Sequence, residues 1–387
     1  MRLRVALLVA LGAPSLVYAK SWCAQPIVAH EWGVQVFTAA TATRASSGPN
    51  LPSYFHDRAA GQGSAGTPVR HLPLDIGIRE LPVVQFYARG NDIPLALEVG
   101  FTLGEADHWY PQVDRRSSAE SANGTEAAAA RERLRAARAA RTSFGQQTPL
   151  ASDPTRQLEW ARLELSDKPR HARSPSSVDW VGRLRTSNAL WVNGAAESER
   201  FVFYEASTRE QPAIRIERGP TFGPNRHHYL LRNTSAHPVH DVFLVQRDSD
   251  GVVVFFAPAI PPGAYAGVLL EEHRVPASGV ARATRERLRQ LLVEDKPAST
   301  ASECVMGRDP AIPVERAGGH RLYAAEAELL LGIWSARFFD QPGTTLLYRE
   351  DTGYLDAVMP LSVYTDMYHF VELRRAGLAL VTDVRLP

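Results

Sequence analysis

The chain has 387 residues, and its 43 basic and 42 acidic side chains leave a formal charge of +1 at pH 7, with 44% of residues hydrophobic. So even a balance gives no general field for nucleic acid or an anionic membrane, and the length is ample for a large core. Two cysteines are too few to staple a small disulfide scaffold.

Arg2 and Arg4, the apolar run 5–17 and the small residue Ala19 have the order of a secretory signal peptide, residues 1–19. The mature protein is therefore expected to be exported, periplasmic or extracellular. No later stretch approaches the roughly 20 apolar residues of a spanning helix, so no transmembrane anchor is expected. Cys23 follows Lys20-Ser21-Trp22, which lacks the small residue that normally precedes a lipid-attachment cysteine. An oxidising compartment permits a Cys23–Cys304 disulfide, worth roughly 2 to 4 kcal/mol if unstrained; two unrelated thiols are the alternative.

The first mature strand is expected at 29–39, where Trp32, Val34 and Val36 alternate with Glu31, Gly33, Gln35 and Phe37 as a half-buried strand requires. Residues 42–67 are rich in Ser, Gly and Pro and read as an exposed loop. Their Gly61-Gln62-Gly63-Ser64-Ala65-Gly66 matches the dinucleotide fingerprint only formally, because no strand precedes it and no helix follows. Strands are expected at 82–88 and 95–103, with Leu97, Val99, Phe101 and Leu103 inward, then a turn at 107–112. Residues 117–155 are dominated by Ala, Arg, Ser and Gly. With few large apolar side chains they read as an insertion, and a solvated helix fits better than a polyanion grip by Arg131, Arg135 and Arg138.

From Leu158 short strands recur at roughly ten-residue spacing between turn residues, the rhythm of packed antiparallel sheets. Residues 229–245 have the pattern of an immunoglobulin-like hairpin. Val280, Thr284, Leu288, Leu291 and Leu292, and then Ala327, Leu330, Leu331, Trp334 and Phe338, repeat at helical spacing, with strands expected at 344–348, 361–364 and 369–373. The fold class is mainly β: a β-sandwich-like domain over 20–276, and an α+β module over 277–387 joined at 277–279.

Several of these segments also carry a resemblance. His30-Glu31-Trp32-Gly33, Val83-Val84-Gln85-Phe86-Tyr87, His108-Trp109-Tyr110-Pro111-Gln112, Phe201-Val202-Phe203-Tyr204 and Asp356-Ala357-Val358-Met359-Pro360-Leu361 occur in that order. Together they resemble a family of uncharacterised secreted bacterial proteins whose mature chain opens with a His-Glu-Trp-Gly-Thr-Phe-Thr-like strand. Val34 stands where that family has Thr, and His108 where it has Glu. The resemblance implies a secreted β-rich fold and names no activity.

The chemistry-bearing pairs are His30 with Glu31 and Asp107 with His108. Adjacent strand positions point to opposite faces, which works against either pair holding one metal. No His-Glu-x-x-His helix, Cys-x-x-Cys pair or Gly-x-Ser-x-Gly elbow occurs. His237 and His240 flank a turn, yet two ligands do not make a zinc site. Trp32, Trp109 and Tyr110 would bind sugar or peptide if they shared a cleft, and otherwise fill the core. The sequence thus points to a non-catalytic exported protein binding a protein or glycan of the envelope, with metal-assisted hydrolysis by His30/Glu31 or Asp107/His108 as the alternative. It names no cofactor.

Overall fold

The computed structural model describes residues 23–38, 50–58, 77–117, 157–220, 227–249, 251–294, 305–306, 319–366 and 369–387. The expected signal peptide, nearly all of the insertion and Cys304 lie outside these residues. The strands in the first half are β1 Cys23–Thr38, β2 His56–Asp57, β3 Gly77–Tyr87, β4 Ile93–Gly100, β5 Gly104–Tyr110, β6 Arg115–Ser117, β7 Gln157–Ser166, β8 Trp191–Asn193 and β9 Ser198–Glu199. They continue with β10 Val202–Thr208, β11 Ile214–Arg218, β12 His228–Asn233, β13 Val239–Asp248, β14 Gly251–Ile260, β15 Tyr265–Leu269 and β16 Arg274–Val275. The last are β17 Val305–Met306, β18 Gly343–Glu350, β19 Leu361–Thr365 and β20 His369–Thr382. The helices are α1 Asp179–Arg185, α2 Val280–Leu292, α3 Ala324–Ser335 and α4 Thr352–Val358, with a π turn Ala336–Asp340 continuing α3.

The chain is mainly β. Its large sheet runs β16-β14-β13-β18-β20-β1-β3-β10-β5-β2, with β17 on β1; a three-stranded sheet runs β11-β12-β15, and a six-stranded one β19-β4-β7-β8-β9, with β6 on β7. Every named ladder is antiparallel except β1 with β20, which run parallel from Gln25 opposite His369 to Thr38 opposite Thr382. No helix among the described residues is long and apolar enough to cross a membrane.

Strand alternation explains the layers. Trp32, Val34 and Val36 of β1 pack with Trp180, Leu288, Leu330, Trp334 and Phe338, so one face of the large sheet carries the helices. Ile27 and Ala29, pointing the other way, meet Leu97, Trp160 and Val363 of the six-stranded sheet. Phe37, farther along that face, meets Leu231 and Val268 of the three-stranded sheet. β1 is therefore buried on both sides rather than half-buried, as a central strand with a parallel neighbour should be.

Four expectations are corrected. The chain on either side of 277–279 does not form separate sheets: β18 and β20 lie inside the large sheet, and β19 joins β4. Residues 229–245 are not a hairpin, because β12 pairs with β11 and β15 while β13 pairs with β14 and β18. The turn expected from 107 is strand β5 as far as Tyr110, since pairing with β10 buries His108, Trp109 and Tyr110. Leu103, expected inward, falls after the end of β4 and is 44% exposed.

His320, just before α3, carries a pH dependence. Burial first, then the nearby Arg349 charge, lowers its imidazole from 6.5 to about 4. With the folded value depressed, the folded state binds fewer protons than the unfolded one between about 4 and 6.5. Its stability contribution is therefore complete above 6.5 and lost as pH falls through about 4. Urea unfolding at neutral and mildly acidic pH should show His320→Gln losing less stability on acidification than the wild type; equal losses would assign the acid sensitivity to other groups.

Candidate functional site

His30 and Glu31 lie in the middle of β1 and point to opposite faces. On the helical face, His30 Nδ1 is 2.5 Å from Glu326 Oε2 of α3, and the imidazole lies between Tyr87 and Tyr323, ring centroids 5.5 and 4.5 Å away. On the other face, Glu31 accepts from Arg375 Nη2 at 3.0 Å, from Arg375 Nε and from the Tyr204 hydroxyl. Arg375 also donates to Asp356 at 3.0 Å and to the Met359 carbonyl at 2.8 Å. Beside it, Arg79 bridges Glu210 and Glu350 at 2.5 and 2.8 Å, and Tyr354 donates to Glu210 at 2.8 Å.

This ion network fills the large-sheet face between the two smaller sheets. Gly377 leaves it room, since a Cβ there would meet Glu350 Oε2 at 2.8 Å, while Gly33, opposite it in the parallel ladder, admits the β3 backbone, where a Cβ would meet Pro82 Cα at 2.9 Å. Burial raises the Glu350 carboxyl, so it holds its proton more readily among the surrounding acids, whereas burial opposes and Glu210 and Glu350 favour the Arg79 charge, which stays on. The space beside Glu31 and Arg79 is a water-sized cavity of about 10 Å³. These groups satisfy one another and leave no room for a substrate.

Asp107 and His108 engage different partners at the sheet edge. The Ser207 hydroxyl donates to Asp107, and Arg58 lies 3.5 Å away, while burial raises the Asp107 carboxyl. His108 sits between Glu205 at 3.2 Å and Asp57 at 3.5 Å. His240 is 3.2 Å and His237 3.9 Å from Asp351, whose other role is to cap α4 by accepting from the Gly353 N–H at 2.8 Å. Among the described residues no group of three His, Cys, Asp or Glu is arranged to hold a metal.

The aromatic candidates do not share a cleft. Trp32 and Tyr110 lie in the core under the helices, and Trp109 in the core against the six-stranded sheet, at 0, 1 and 5% exposure. Their size fits them to fill interlayer space, and the alternation of β5 sends Trp109 and Tyr110 to opposite sides. As for the cysteines, β17 brings Val305 opposite Ala24, while Cys304 itself lies outside the described residues.

A wide opening occurs elsewhere, across one end of the outer face of the six-stranded sheet, from β19 through β4 and β7 to the β8–β9 turn. It is an open groove of about 970 Å³. A register shift between β4 and β7 after Leu95 bulges Ala161 and Arg162 outward, and Asp114 holds that bulge by accepting from both backbone N–H groups, at 2.8 and 3.2 Å. The far wall is pinned by two buried residues. Asn193 accepts from the Arg170 N–H at 2.9 Å and Ser198 from the His171 N–H at 3.0 Å, so the 167–171 segment is held before any ligand arrives. Leu95, Ala96, Leu163 and Tyr364 supply apolar lining, and Arg162, Glu164, Arg170 and Asp366 charges of both signs. Such a mixed, preformed groove suits a ligand with both apolar and hydrogen-bonding faces. None of its residues forms a sequence motif, because four strands distant in sequence build it.

No protein-family model and no curated protein matches this chain. The class that fold and site define is a mainly β, multi-sheet protein with an open groove on its six-stranded sheet.

Proposed function

We propose that the protein is an exported, non-catalytic binding protein whose groove on the six-stranded sheet holds an oligosaccharide or peptide segment of the cell envelope. The observation that carries this reading is the groove itself: about 970 Å³, open, pre-organised by Asn193 and Ser198, and lined by apolar and charged groups. Export is supported by the signal-peptide pattern of residues 1–19 and by the resemblance to a secreted family. The alternative of hydrolysis at His30/Glu31 or Asp107/His108 gains no support from side chains that are already engaged with other protein groups and divided between faces.

The test compares the mature protein with Ala195→Trp, which places a bulky ring at an exposed groove position, against arrayed envelope glycans and peptides. Retention by the wild type and a loss of about tenfold or more in affinity for the variant are expected, about 1.4 kcal/mol or more. Silence across the array, or equal binding by the variant, would overturn the proposal.

A further inference from the structure

A second cavity, about 330 Å³, lies on the opposite side of the large sheet, between β3, α1, α2 and α3. Its wall includes Gln85 and Glu326, which are 0 and 2% exposed. Each keeps one side-chain oxygen without a hydrogen-bond partner, although the Tyr87 hydroxyl also lies against the Glu326 carboxylate. Gln85 Nε2 donates to Ser187 Oγ at 2.9 Å, and Glu326 Oε2 meets His30 Nδ1 and accepts from the Tyr323 N–H at 2.9 Å. Gln85 Oε1 and Glu326 Oε1 accept no hydrogen bond from the protein, although both are buried. A buried acceptor left unsatisfied costs roughly 1–3 kcal/mol, so two of them on one cavity wall mark a place where a donor belongs.

The same cavity is lined by two guanidinium groups, Arg183 and Arg285, and by the Ser187 hydroxyl. Arg183 lies close over α3 because Gly332 has no side chain there: a Cβ would sit 2.8 Å from Arg183 Nη1. Asp179 and Glu328 pair with these arginines at half-exposed positions, where such pairs are weak and a ligand anion competes readily. The cavity therefore combines inward acceptors, one of them a carboxylate, with cationic forks.

We propose that this cavity is a binding site for a small zwitterion the size of a free amino acid. Its ammonium group donates to Glu326 Oε1 and Gln85 Oε1, and its carboxylate is held by Arg183 and Arg285. Charge-assisted bonds at both ends make the two groups of the ligand necessary together. The site is independent of the outer groove, from which the large sheet separates it.

The experiment is calorimetric titration of the mature protein with free L-amino acids, and with matched amines lacking the carboxylate and acids lacking the ammonium. Binding of at least one amino acid, about tenfold or more tighter than either half-ligand and weakened about tenfold by Arg285→Ala and by Gln85→Met, is the expected result. Gln85 is in the core, so Arg285→Ala, a partly exposed helix-surface change, keeps the test meaningful if Gln85→Met folds poorly. No heat with any amino acid up to about 10 mM would overturn the proposal and leave a water-filled cavity. Half-ligands binding as tightly as the zwitterion, or affinity unchanged in Arg285→Ala, would overturn it equally.

Discussion

Arg375→Met should lower the free energy of unfolding by about 3–5 kcal/mol, because it removes the guanidinium that balances the buried Glu31 carboxylate. Arg375 is 1% exposed and joins Glu31 of β1 to Asp356 of α4 and the Met359 carbonyl, so the change removes a shared cation from two carboxylates and a donor from one carbonyl. Most of the loss comes from Glu31, which is 3% exposed and keeps the Tyr204 hydroxyl but loses its Arg375 counter-charge. The double variant with Glu31→Gln should therefore lose clearly less than the sum of the two single changes, a coupling of about 1–3 kcal/mol in urea unfolding. Strict additivity would mean that β1 and β20 are held by their ladder and apolar packing alone.

Trp32→Ala and Trp109→Ala should each destabilise the protein by about 3–5 kcal/mol, through lost apolar burial and the cavities left behind. Trp32 is fully enclosed where β1 meets the helices, and Trp109 where β5 meets the six-stranded sheet, so the losses arise in different cores and should add. Urea unfolding decides the matter. A folded, equally stable Trp109→Ala that has lost a glycan or peptide ligand would return this residue to a binding role; unfolding midpoints that fall together with ligand capture would keep it in the core.

Much of the local structure was legible because it depends on side-chain period. The alternation around Trp32, the strand at Gln157–Ser166 and the helices Val280–Leu292 and Ala324–Ser335 each carry an apolar repeat that one element can use in only one way. The short helices Asp179–Arg185 and Thr352–Val358 carry too few turns to show a period. The β5 strand was hidden because Trp109-Tyr110-Pro111 has turn chemistry, and only its pairing with β10 keeps the backbone extended as far as Tyr110.

A mainly β chain with helices near its end, and the opposed directions of His30 and Glu31, can be read from residue order alone, because both follow from chain geometry over a few residues. Tertiary structure decided what those residues meet. Glu31 finds Arg375, 344 positions away, His30 finds Glu326, 296 away, and the groove brings Tyr364 to the same sheet end as Leu95 and Asn193. The β1–β20 ladder, joining the first and last strands in parallel, sets the first of these meetings. Strand partners are chosen by the burial of whole faces and the satisfaction of buried charge across the fold, and neither quantity exists within a window of sequence.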